Sequence, residues 1–92
     1  MDIQVKHQGG DSYEVTLVDG GRERTRHQVT VEPGQLERYG GGAPAEELLR
    51  ESFAFLLERE PPESILRSFP VEAIEGYFPE YPAEIGKRLG RG

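Results

Sequence analysis

Two histidines, a run of alternating arginines and a C-terminal group of aromatics are the residues of this 92-residue chain whose types could carry chemistry. Cysteine is absent, so disulfide scaffolds, thiolate metal sites and thiol nucleophiles are excluded. His7 and His27 are then the side chains suited to proton transfer at neutral pH, and both fall in the apolar phase of alternating segments. A loop from Gln8 to Ser12 would set His7 beside Tyr13. A three-residue loop at Asp19-Gly20-Gly21 would set Val18 opposite Arg22, Val15 by Thr25, Glu14 by Arg26 and Tyr13 by His27. The result would be an inner-face row of His7, Tyr13 and His27, the one arrangement here from which an enzyme centre could be built. It lacks a ligand set: Asp11 sits at a turn and Glu14 points to the other face, so neither a metal nor a cofactor is expected.

Arg22, Arg24 and Arg26, with Lys6, form a basic stripe on the opposite phase, the kind of row that contacts nucleic acid. No aromatic accompanies it, and Glu14 and Glu23 offset its charge, so a solvated strand face is the expected reading. Gly40-Gly41-Gly42 precedes a helix start, yet no Lys-Ser/Thr follows, and Glu46 and Glu47 would repel a phosphate there. Carboxylate pairs such as Glu46-Glu47 and Glu72/Glu75 fall on helix surfaces, and the serines lack a nucleophile-elbow context.

The elements that must position these groups follow from periodicity. Ile3 and Val5, then Tyr13, Val15 and Leu17, then Thr25, His27, Val29 and Val31 alternate with polar neighbours, between glycine-rich turns. The pattern predicts a three-stranded antiparallel meander over residues 1–32. Residues 33–43 read as a glycine-rich connector. From Pro44 to about Glu60 the spacing predicts a long helix opened by proline and two glutamates and ended by Pro61-Pro62. Its apolar positions cover about half the circumference, wider than the ~100° stripe of an ordinary surface helix, so it must meet a second neighbour besides the sheet: the C-terminal segment or another copy of the chain. Phe53, Leu56 and Leu49 should be central. Short helices opened by Pro62, Pro70 and Pro82 should dock by their apolar residues. The fold class is α+β, one domain over residues 1–85 with a helical part at 44–85, the helices mainly on one sheet face, and a frayed basic tail at 86–92.

At the end of the long helix, Arg59 projects near the apolar side, over an aromatic ring or against the proline-rich chain that follows. Tyr77, Phe78 and Tyr81 read either as a lid over the core or as an exposed aromatic-acidic patch. Phe78 is expected in the lid, while Phe55, Arg59, Tyr77 and Tyr81 are candidate interaction residues. The segments Ser52 to Pro61, Glu63 to Leu66 and Tyr77 to Tyr81 resemble a family of small uncharacterised bacterial proteins with a strand-rich N-terminus and the motifs SFxFLLEREP, ESIL and YFPEY. The resemblance covers roughly the C-terminal half and implies a shared fold without an activity.

Charge is unevenly spread. The formal net charge of −6 is about −1 over residues 1–31, −4 over 32–60, −3 over 61–82 and +2 over 83–92. The acidic helical half opposes nucleic acid and suits a basic protein partner. The longest apolar run, Phe53 to Leu57, is far too short to span a membrane, and the first residues show no signal pattern, so a cytoplasmic protein is expected. The leading functional expectation is a non-enzymatic protein-interaction module, homodimeric if the broad helix face is covered by a second copy. The second is an antitoxin-like or regulatory protein neutralising a basic partner. The third is the His7/Tyr13/His27 enzyme.

Overall fold

The computed structural model describes residues 1–90. Strands β1 (Asp2–His7), β2 (Ser12–Asp19) and β3 (Arg22–Thr30) form the antiparallel meander expected from their alternation. Their odd-numbered residues are the inward ones: Val15, Leu17, Thr25, His27 and Val29 are buried, while Arg24, Arg26 and Gln28 face out. His7 pairs with Tyr13, as predicted.

The β2–β3 register differs from expectation by two residues. The turn is a two-residue one, with Gly20 and Gly21 at φ of 60° and 81°, so Asp19 rather than Val18 faces Arg22. A bulge at Leu17/Val18 then admits one more residue of β3, and Val15 faces His27 while Tyr13 faces Val29. Either change alone would turn the apolar side chains of one strand to solvent; together they restore the phase.

A fourth strand, β4 (Ser68–Pro70), adds parallel to β3, giving the order β1-β2-β3-β4. The expected helix from Pro70 is therefore displaced. Gln28 N–H donates to Arg67 O at 2.7 Å, and Val71 N–H donates to Thr30 O at 2.9 Å. The odd positions of β4 thus face β3, and the nitrogen of Pro70 points to the open edge, where its missing N–H costs no ladder bond.

The connector expected at 33–43 is mostly helical. α1 (Pro33–Gln35) runs into a π-helical turn, Leu36–Gly40, closed by Gly41 at φ 53°, whose N–H reaches the carbonyls of Glu37 and Leu36. That turn carries Tyr39 into the core, 1% exposed. The long helix α2 (Ala45–Leu57) begins after the extended Pro44 and stops three residues before the predicted end. Glu60 precedes a proline, which disfavours helical backbone there, so residues 58–60 form the exit turn.

After a single 3-10 turn at Pro62–Ser64, the chain forms β4, then α3 (Ala73–Tyr77) and α4 (Tyr81–Arg88). Helical structure thus continues past Gly86, where a frayed tail was expected, and Leu89 packs on the core. Arg91 and Gly92 of that tail lie outside the described residues.

The broad apolar arc of α2 is satisfied within the chain. Phe53 faces the sheet side, with ring centroids 5.4 Å from His27 and 6.1 Å from Phe69. Phe55 faces the C-terminal helices, 5.4 Å from Tyr81 and 5.8 Å from Phe78, both near edge-to-face. Leu48, Leu49, Phe53 and Phe55 have no exposed surface, so no second copy is needed to cover this helix.

Candidate interaction site

The end of α2, the turn after it, β4 and α3 surround an apolar cleft of about 150 Å³. Leu56 and Glu60 come from the end of α2 and its exit turn, and Ser64, Ile65 and Leu66 from the proline-rich segment. Phe69 of β4, Ala73 and Ile74 at the start of α3, and Tyr77 and Phe78 at its end complete the lining. Proline makes this hollow: Pro61-Pro62 prevents α2 from continuing, and the chain bends away before pairing with β3. Two of the lining residues, Leu66 at 46% and Tyr77 at 66%, are large apolar side chains left in water. Glu60 stands on the rim and, among the described residues, has no ion-pair partner.

Beside the cleft, Arg59 locks the corner. Its guanidinium lies 3.7 Å from the centre of the Phe55 ring, Nη1 donates to Phe55 O at 3.0 Å, and Nε donates to Glu80 at 3.2 Å. One planar group thus ties the end of α2 to the start of α4. Nearby, Arg88 Nη2 reaches both carboxylate oxygens of Glu58 at 2.6 and 2.7 Å. That contact is the chief reason the Glu58 carboxyl titrates below its usual range, against a smaller opposing effect of burial.

Of the four candidate interaction residues, the structure leaves Tyr77 open and keeps 25% of the Arg59 side chain exposed. Phe55 and Tyr81 are each 0% exposed and are therefore corrected from surface contacts to core. Tyr81 is drawn in because its hydroxyl has a buried partner, Ser52 Oγ at 2.6 Å, and its ring lies 5.2 Å from that of Tyr39. Burial raises its pKa far above the ordinary phenol value. Tyr39 is pushed up to about 12 by burial and by donating its O–H to Glu75 at 2.7 Å. Phe78 is the packed lid residue, partly buried against the core.

The predicted row His7, Tyr13, His27 does not form. His7 stacks on Tyr13, with ring centroids at 4.7 Å, and its Nε2 lies 2.8 Å from Gly10 O. His27 faces Val15 instead, on the helix side of the sheet and without solvent exposure. Its Nδ1 lies 2.7 Å from Leu66 O and must carry the proton, since a carbonyl can only accept; Nε2 then accepts from Thr25 Oγ1 at 2.7 Å. Burial lowers its pKa, opposed by the bond to Leu66 O and reinforced by the charge of Arg67. The ring is a neutral core group holding the segment before β4 to the sheet. Among the described residues, no group of three or more His, Cys, Asp and Glu is placed to hold a metal.

The arginine stripe is tied into ion pairs. Arg24 reaches Asp19 at 3.3 Å and Glu63 at 2.9 Å, and Arg26 reaches Glu23 at 2.8 Å and Glu14 at 3.9 Å, the latter diagonally because of the shifted register. Arg22, opposite Asp19 at the turn, completes a face whose charges are locally balanced.

Leu66 and Glu60 were not singled out from the sequence as binding residues. The signal was present in Ile65-Leu66 followed by Ser68-Phe69-Pro70-Val71, where alternate residues are buried, but two flanking prolines made the segment read as helix starts. Comparison with protein-family models, with curated proteins and with solved structures finds no match to this chain. Among the described residues, no helix is long and apolar enough to cross a membrane.

Proposed function

We propose that this chain is a non-enzymatic protein-interaction module that seats one apolar side chain of a partner segment in the cleft bounded by Leu66 and Tyr77. The observation carrying this reading is the pairing of a preformed apolar hollow with two exposed apolar side chains on its walls. At about 150 Å³ the hollow suits a single aliphatic or aromatic side chain, as a cavity of that size admits a benzene ring. Metabolite sites are typically about 300–1,000 Å³. Rim Glu60 and the net acidity of residues 61–82 favour lysine or arginine flanking that anchor. An antitoxin-like role is the special case in which the basic partner is a toxin or nuclease.

The motifs that carry the resemblance to small bacterial proteins supply most of the cleft lining, so proteins sharing them would share the hollow. Selection of random peptides on the wild-type protein, with counter-selection on Leu66→Glu/Tyr77→Ala, tests the proposal. The selected peptides should share an apolar anchor beside basic residues and should lose binding to the double variant. Both positions are exposed, so the variant should fold normally. Peptides that bind both proteins equally, or a failure to enrich any sequence, would refute the reading.

A further inference from the structure

We propose that a second copy of this chain docks on the free edge of β1, antiparallel and with its two-fold axis at Gln4, making a continuous eight-stranded sheet. This edge is at the opposite side of the sheet from β4 and the cleft, so the inference stands apart from the reading above. Among the described residues no strand covers it.

The hydrogen-bond phase of the edge follows from its surroundings. Gln8 N–H donates to Ser12 O at 2.9 Å, and on the other side of β2 Val31 N–H donates to Asp11 O at 2.8 Å. Antiparallel ladders alternate, so Asp2, Gln4 and Lys6 exchange bonds with β2, whereas Ile3, Val5 and His7 turn their N–H and C=O groups outward. Those outward groups are a template for another strand. A two-fold at Gln4 pairs Ile3 with Val5 of the other copy and Val5 with its Ile3, and both positions are hydrogen-bonding ones.

The side chains are self-complementary in the same register. Asp2 falls opposite Lys6 of the other copy, and Lys6 opposite its Asp2, giving two opposite-charge pairs on the solvent face. On the helix face, half-buried Ile3 and Val5 meet their counterparts and extend the apolar surface beneath α2. Moving the axis by one residue breaks this pattern: at Val5, Asp2 meets Gln8 and Lys6 meets Gln4; at Ile3, Asp2 meets Gln4 and Lys6 has no partner within β1. Charge therefore selects Gln4 and the isologous geometry of a closed dimer.

Charge reversal and crosslinking test the interface on the full chain. Sedimentation equilibrium from micromolar to millimolar concentration should show wild type moving toward twice the 10.3 kDa chain mass. Asp2→Lys alone and Lys6→Asp alone each place like charges at both pairs and should weaken association about tenfold or more. Mixed together they restore both pairs and should form a heterodimer. Gln4→Cys, the only thiol in the molecule, should oxidise to a disulfide dimer, because a non-hydrogen-bonded antiparallel pair brings Cα atoms to about 4.5 Å. Lys6→Cys should not, since its own symmetry mate lies four residues along the strand. A monomer at every concentration, a mixture no more associated than its components, or equal crosslinking of the two cysteine variants would overturn the proposal.

Discussion

Tyr81 links the two layers of helix through a bond whose direction the structure determines, and this makes its contribution measurable. Ser52 Oγ lies 2.7 Å from Leu48 O and 2.6 Å from Tyr81 Oη. A carbonyl can only accept, so Ser52 donates to Leu48 and Tyr81 donates to Ser52. Tyr81→Phe leaves a buried serine oxygen short of a donor, and Ser52→Ala leaves a buried phenol O–H without an acceptor. Each should cost about 1–3 kcal/mol, or several degrees to more than ten in Tm, at about 4–8 °C per kcal/mol for a domain of this size. The double variant removes both polar groups together and should cost no more than the worse single, a coupling of about 1 kcal/mol or more. Urea unfolding followed by circular dichroism gives all three values against wild type, and the absence of tryptophan makes tyrosine fluorescence a second probe. Additive losses, within about 0.5 kcal/mol, would mean that the two hydroxyls do not share a bond and would refute the assignment of Tyr81 to the core.

His27 predicts a pH dependence of stability. Burial holds its pKa below the ordinary 6.5, so the unfolded chain takes up a proton that the folded chain refuses. Stability is complete above pH of about 6.5 and should fall below it, by at most about 1.4 kcal/mol per pH unit, until the folded pKa is passed. Urea midpoints at successive pH values should show this slope in wild type and its loss in His27→Gln; an unchanged slope in the variant would assign it to the carboxylates. Arg59→Met should lower stability by about 1–2 kcal/mol and Arg59→Lys by nearly as much, because an ammonium lacks the planar fork that faces Phe55 and bonds Phe55 O and Glu80 together. Thermal melts at low and high salt check the cause: a loss that vanishes in salt would make Arg59 a surface ion pair instead.

The legibility of the fold follows the range of the interactions. Strands β1 to β3 and helix α2 could be read because their burial patterns have periods of two and 3.6 within the segment itself. The short strand β4 could not, since its pairing partner, β3, lies some forty positions earlier and Pro70 masked its alternation. Tyr39 falls in the stretch whose glycines predict a connector, and nothing local marks it as a residue buried by Tyr81 and bonded to Glu75.

The candidate site divides in the same way. Composition and residue order alone exclude thiol chemistry, make the helical half acidic and interrupt the chain with prolines after α2. Whether an aromatic there is core or contact depended on tertiary partners: Tyr81 found Ser52 and went inside, while Tyr77, with the same ring, was left in water. Likewise, alternation alone set which face of the sheet His27 occupies. Its pairing partner depended on a two-residue turn and a bulge, whose combined shift leaves the facing pattern unchanged and so leaves no trace in the periodicity.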